Sequence, residues 1–194
     1  MGRILEQLNP YLRVTRVSSA FAAVANVWFV VLWTQAMPQE QGPSSLEARP
    51  TWLILLCSGV AAVGLYTLSA CMNDLIDVKR DRAYGKNRPI ASGRMTSDAG
   101  AYLAVLALIA AAAGAMPLGP VALGLTLGLS AAILLYHVIG RFVPAVGLAM
   151  VGLIVAGQML VPNSGLRFMW PVWLVLTHTL ATFGLAQVYG RKVP

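Results

Sequence analysis

Between Arg16 and Glu40 the chain runs for 23 residues without a charged side chain. Four more gaps follow: 24 residues between Arg49 and Asp74, 42 between Asp98 and Arg141, 25 between Arg141 and Arg167, and 23 between Arg167 and Arg191. A helix of about 20 apolar residues crosses the hydrocarbon core of a bilayer. Four gaps fit one crossing each, and the 42-residue gap fits two. The two are separated at "MPLGP" (Met116–Pro120), where two prolines and a glycine favour a turn. The spans fall near residues 17–37, 51–73, 99–116, 120–137, 142–161 and 169–188. The expected fold is an all-α membrane protein, a single transmembrane domain over residues 1–194 built as a bundle of about six helices. Only 11% of the residues are charged and 58% are hydrophobic, against about 25% charged in a soluble domain. Met1 to Arg16 carries four charges and no apolar core, so no cleavable signal peptide is expected.

Charge also orients the chain. With the N-terminus in the cytoplasm, 12 of the 14 lysines and arginines fall on the inner side, and only Arg49 and Arg167 fall outside. That is the bias expected of inward-facing loops. The net charge of +7 is thereby explained by topology, and no nucleic-acid partner is called for. Cys57 and Cys71 lie 14 positions apart on one predicted helix, about 21 Å along its axis, and cannot pair. Gly124 and Gly128 form a GxxxG, and Gly147, Gly152 and Gly157 lie in the fifth span; close helix packing is the expected use of all five. Asn26 and His178 are polar groups inside spans, read as hydrogen bonds across helices.

One segment breaks the apolar pattern. Cys71 to Arg94, "CMNDLIDVKRDRAYGKNRPIASGR", holds three of the seven acidic residues and six of the fourteen basic ones. If the second helix runs past the membrane edge, offsets of three and four place Asp74, Asp77 and Asp81 on one face. Like charges at that spacing repel by a few tenths of a kcal/mol per pair, so a positive group belongs among them. Lys79, Arg80 and Arg82 point to other faces. A hard divalent cation such as Mg²⁺ suits oxygen ligands and is commonly shared between carboxylates and phosphate. Asn73 adds a carbonyl oxygen. The basic residues that follow, Lys86, Arg88 and Arg94, suit a phosphate-bearing ligand, arginine with its planar fork above all. Together these groups form a candidate diphosphate site at the cytoplasmic edge.

The pattern N-D-x-x-D-x-x-x-D, followed by "NRPIASG" (Asn87–Gly93), resembles the first signature of the UbiA superfamily of intramembrane prenyltransferases. "YHVIGR" (Tyr136–Arg141) lies where that family has a tyrosine and a basic residue after the fourth span. The resemblance implies the first two-thirds of the UbiA fold and transfer of a prenyl group from an isoprenoid diphosphate to an aromatic or other lipophilic acceptor. It further implies Mg²⁺ held by Asn73, Asp74, Asp77 and Asp81, the three aspartates being catalytic. Arg88 and Arg141, with Lys86, contact the diphosphate, and Tyr136 touches substrate. The enzyme would sit among the lipids of a bacterial inner membrane, its active edge facing the cytoplasm. Aspartates also serve the CDP-alcohol phosphotransferases, but Asp77 and Asp81 satisfy only the last part of that pattern.

The family's second aspartate-rich motif has no counterpart, since no acidic residue lies beyond Asp98. The chain is therefore read as a short or truncated member. The alternative function is a non-catalytic or partner-dependent membrane subunit that binds isoprenoid diphosphate without turnover, a second chain completing the site. Arg191 and Lys192 are read as an anchor for the end of the sixth span. Acceptor identity and prenyl chain length have no short signature.

Overall fold

The computed structural model describes residues 2–37, 49–85 and 87–190. Among these residues eight α-helices follow in order: α1 (Gly2–Thr15), α2 (Val17–Ala36), α3 (Thr51–Ile76), α4 (Val78–Ala83), α5 (Ser97–Ala115), α6 (Pro120–Val138), α7 (Pro144–Met159) and α8 (Trp170–Gly190). No strand occurs among the described residues. Helices α2, α3, α5, α6 and α8 are long and apolar enough to cross a membrane. The fifth expected span is shorter: α7 has 16 residues, about 24 Å at 1.5 Å per residue. The expected break near residue 118 is a 3₁₀ turn over Met116–Leu118, followed by Gly119 at φ 118°.

Sequence sets the helix ends. Pro120 and Pro144 open α6 and α7, where a missing N–H costs nothing and the fixed φ suits the first turn. Thr96 caps α5 by accepting a hydrogen bond from the Ala99 amide at 3.2 Å, and Asp98 stands in that first turn, where the helix dipole favours an anion. Helix α1 was not expected from sequence. It ends at Arg16, the one described non-glycine residue with positive φ (47°), and α2 starts immediately after it.

Helix α3 is the hub. It packs most extensively on α5 and also meets α1, α2 and α6. Small residues allow the α3–α5 backbones to touch. A Cβ on Gly64 would lie 2.6 Å from the Ala111 amide nitrogen, and one on Gly114 would lie 2.6 Å from that of Ala61. Helix α7 packs on α8, α6 and α2. Of the glycines expected to mediate packing, Gly147, Gly152 and Gly157 do so, each with a neighbour within 3 Å of where a Cβ would stand. Gly124 and Gly128 do not: nothing lies within 4 Å of that point at either. Their shared face of α6 meets no described helix, so the GxxxG spacing there is not a contact. Cys57 and Cys71 are both buried and unpaired with each other.

Candidate functional site

The charged segment forms the corner where α3 meets α4. Asp77 sits between the two helices at φ −85°, ψ 3°, yet the helical bonding carries across: the Asp77 amide donates to Asn73 O at 3.1 Å and the Asp81 amide to Asp77 O at 2.8 Å. The i, i+3, i+7 register is thereby kept. Asp74, Asp77 and Asp81 all turn inward, with residue exposures of 3%, 7% and 1%. Lys79, Arg80 and Arg82 lie on the exposed side, as the offsets require.

Three buried carboxylates need compensating charge, and three arginines from distant parts of the chain supply it. Arg16, at the α1–α2 junction, reaches Asp74 Oδ1 at 3.1 Å. Arg88 bridges Asp74 Oδ1 at 2.8 Å and Asp81 Oδ2 at 3.0 Å. Arg141, in the turn after α6, reaches Asp77 Oδ1 at 2.6 Å, and its guanidinium lies 5.2 Å from the Phe142 ring centroid. Among the described residues, three acids thus face three bases at one end of the bundle. From sequence, Arg16 is either a topological flank or a group that reaches the diphosphate; here, from a left-handed backbone, its side chain meets Asp74.

The loop after α4 is built to present Arg88. Ile90, 1% exposed, plugs into the core and Pro89 is buried with it. The Ser92 amide donates to Arg88 O at 2.8 Å, and Gly93 takes φ 76° to turn the chain back, a conformation glycine adopts freely. Arg94 serves the loop itself, donating to Asn87 O at 3.1 Å and Asn87 Oδ1 at 2.7 Å. The turn presenting Arg141 depends on close approach by α7. A Cβ on Gly147 would lie 2.7 Å from Gly140 O. Lys86 lies outside the described residues.

Among the described residues no three His, Cys, Asp or Glu side chains gather as a metal set. The donors nonetheless suit a hard cation in kind and in free capacity. Asp74 receives Arg16, Arg88 and Asn73 all at Oδ1, and Asp77 receives Arg141 at Oδ1. Neither Oδ2 accepts from a described residue. Two carboxylate oxygens three positions apart match the usual share that a protein offers Mg²⁺, with waters and phosphate oxygens completing its shell.

Beneath the corner lies a cavity of about 220 Å³, lined by Arg16, Asn73, Tyr66, Ser69, Tyr136, His137 and Gln158 among others. Its walls at Val155 and Phe183 are shared with a cleft of about 530 Å³ between α2, α7 and α8. Asn26 and His178 line that cleft with Thr179 and Thr182, and neither makes a side-chain hydrogen bond to a described residue. The interhelical bonds expected of them are not formed. A larger space of about 610 Å³, between α2, α3 and α5, contains no charged side chain. Its rim residues Phe21, Leu56 and Leu106 are more than half exposed, so it is an open groove on the outer face.

His137 is the residue sequence reading passed over. It is 3% exposed, its Nε2 lies 3.3 Å from Ser69 Oγ, and its Nδ1 has no partner among the described residues. The available signal was its place beside Tyr136, four residues before Arg141.

A search of curated proteins returns no match. A solved structure of digeranylgeranylglyceryl phosphate synthase superposes with a TM-score of 0.74 at 18% identity, over 92% of this chain and 60% of the other. The chain thus spans about three-fifths of the length of that neighbour, and the likeness carries the helical fold. The model of the UbiA prenyltransferase family matches residues 27–191, and the chain, with its five apolar helices of membrane-crossing length, belongs to that family of multi-pass membrane proteins.

Proposed function

We propose that the α3–α4 corner binds the diphosphate of an isoprenoid and that the chain takes part in prenyl transfer to a lipophilic acceptor. The observation that carries this reading is the convergence of Arg16, Arg88 and Arg141 on three buried aspartates directly above a cavity. Guanidinium groups are the side chains best fitted to phosphate oxygens. The three come from separate segments, so they surround an anion rather than flank it. Lys86, in the same loop as Arg88, would add a fourth positive charge. When bound, Mg²⁺ would supply further positive charge against the diphosphate oxygens, with Asp74, Asp77, Asp81 and Asn73 as the side chains to hold it.

The residues divide the work physically. Arg88 and Arg141 stabilise negative charge that grows on the diphosphate as its bond to the allylic carbon breaks, which is electrostatic catalysis by pre-placed charge. The cavity under them keeps water from the allylic carbon. Tyr136 provides one aromatic wall. The isoprenoid tail follows the apolar path past Val155 and Phe183 into the α2–α8 cleft. On this reading the charged edge faces the cytoplasm of a bacterial cell; the bias of lysine and arginine toward that edge supports the orientation.

Binding of a non-hydrolysable isoprenoid thiodiphosphate to the purified chain in detergent, with and without Mg²⁺, tests this. Asp74→Asn and Asp77→Asn should each abolish the Mg²⁺-dependent part while leaving helix content intact. Unchanged binding in both variants would refute the reading. A second reading is a binding subunit that holds an isoprenoid diphosphate without turnover of its own. Tight Mg²⁺-dependent binding with no transfer to any acceptor would select it.

A further inference from the structure

Helix α1 stands outside the apolar spans, at the charged edge of the bundle. It ends one residue before Arg16 and packs on α3. From Asn9 onward its residues fall into three sectors. At about 100° per residue, Pro10 and Val14 share one sector, Tyr11 and Leu12 a second about 130° round, and Asn9 and Arg13 a third about 130° further on. Burial follows the sectors. Val14 is fully buried and Pro10 half-buried; Tyr11 and Leu12 are exposed, and so are Asn9 and Arg13. The first sector meets the bundle and the third is polar. The second is apolar and open. In the sequence, Ile4, Leu5 and Leu8 repeat the spacing of Tyr11 and Leu12.

A basic flank beside a span accounts for Arg13. It does not account for a tyrosine and a leucine turned away from both the bundle and the polar side. A helix lying along a bilayer surface beside a bundle meets protein, lipid and water at once, and three such sectors suit it. The open sector also runs into the lipid-facing surface. Thr15 helps to wall the apolar groove between α2, α3 and α5. Its hydroxyl is spent on its own helix, at 3.0 Å from Tyr11 O and 3.2 Å from Leu12 O. Arg13 forms no ion pair with a described residue, and its long stem lets the charge reach a headgroup phosphate from the polar side.

The direction of α1 also sets Arg16. That residue alone separates α1 from α2, at φ 47°. Of the three arginines on the aspartates its side chain is the most exposed, 39% against 27% for Arg88 and 17% for Arg141. It is the one the bundle holds least.

We propose that α1 lies in an anionic phospholipid surface at the charged edge, Tyr11 and Leu12 among the upper acyl chains, and that this docking holds Arg16 against Asp74. The state of the charged corner is thereby tied to the charge of the surrounding membrane. The inference rests on the prenyl-transfer reading only where thiodiphosphate binding is the readout.

The test uses the whole chain in vesicles of two parts phosphatidylcholine to one part phosphatidylglycerol. A polarity-sensitive fluorophore is placed on Leu12→Cys or on Asn9→Cys, with Cys57→Ala and Cys71→Ala clearing the background. The probe at position 12 should be blue-shifted, quenched by spin-labelled lipid and shielded from iodide; the probe at position 9 should be open to iodide. Omitting phosphatidylglycerol should expose position 12. Arg13→Gln should lower its docked-to-free ratio about fivefold, the value of one basic residue beside an anionic leaflet. Coupling is reciprocal, so Asp74→Asn should raise iodide access at position 12 with no diphosphate present. In the chain with its native cysteines, Arg16→Gln should weaken thiodiphosphate binding about tenfold. Leu12→Asp should weaken it too, and the two together no more than Arg16→Gln alone. Equal iodide access at positions 9 and 12, no response to Asp74→Asn, or additive losses in the pair overturns the inference. Should the labelled background fail to fold, the binding measurements decide it. Failure of wild type to bind thiodiphosphate would defeat the prenyl-transfer reading, while the probes still decide the docking and its link to Asp74.

Discussion

Replacing Arg88 by methionine should expose how the charged corner is balanced. Arg88 is the only described side chain that contacts two of the three aspartates, at 2.8 Å and 3.0 Å. Its own side chain is 27% exposed, but its partners are 3% and 1% exposed, so desolvation falls mainly on the carboxylates. Methionine keeps most of the length and removes the charge, taking one partner from Asp74 and one from Asp81. Removing one partner of a buried pair costs about 3–5 kcal/mol. Arg80 provides the control: it is exposed and makes no described ion pair, so Arg80→Met should change stability by less than about 0.5 kcal/mol. Ligand binding should separate them too. Losing a charge-assisted bond worth about 1.5–3 kcal/mol predicts thiodiphosphate binding weaker by roughly 10- to 150-fold for Arg88→Met, with Arg80→Met near wild type. Thermal unfolding in detergent and titration with the thiodiphosphate give both quantities. Equal losses for the Arg88 and Arg80 variants would mean that only bulk positive charge matters, and the reasoning from specific pairs would fail.

Six further substitutions, grouped in three comparisons, test the scaffold. Gly147→Val should cost about 1–3 kcal/mol by overpacking, because its Cβ would press on the Gly140 carbonyl; binding should fall with it as the Arg141 turn is displaced, whereas normal binding would show the turn to be independent of α7. Gly64→Ala should destabilise the α3–α5 contact, while Gly124→Ala and Gly128→Ala, facing open space, should leave stability unchanged or raise it by up to about 1 kcal/mol; the reverse order in thermal unfolding would overturn the packing account. Arg16→Ala should be less stable than Arg16→Gly by about 1–2 kcal/mol, since only glycine holds φ 47° without penalty, and both should bind thiodiphosphate less well than wild type. Equal midpoints for alanine and glycine would show the junction to be unstrained.

The elements most legible in the sequence were those written as absences of charge. Gaps between charged residues located the helices, because the cost of a charge in hydrocarbon leaves few exceptions. The aspartate register was equally readable, since it is local: offsets of three and four fix a face of the helix whatever the rest of the chain does. What escaped was everything set by distant contact. Nothing near Arg16 in sequence shows that its backbone turns left-handed and aims at Asp74, 58 positions away. Gly124 and Gly128 have the right spacing for a helix contact, but spacing does not say which face of α6 is covered. Helix α7 kept its apolar run yet ends at Met159, because residues 160–169 fold as a loop. His137 was hidden for a different reason: its burial and its contact with Ser69 exist only once α6 has packed on α3.

The three-on-three pairing has a consequence for ligand binding. Buried ion pairs are weak contributors to stability, and apolar replacements of similar size commonly do as well or better. A cluster of six charged side chains at one corner is therefore poorly explained as a fastening. It is well explained as a place where partners can be exchanged. An arginine that turns from its aspartate to a phosphate oxygen weakens the compensation of a buried carboxylate, and an aspartate that turns to a cation weakens that of a guanidinium. Each exchange alone unbalances the corner; made together they keep its charge balanced. The corner should therefore take up anion and cation as one event, each raising the affinity for the other by the same factor. Asp74 and Asp77 already hold one oxygen apart from their arginines, so the exchange starts from carboxylates that are half engaged rather than closed.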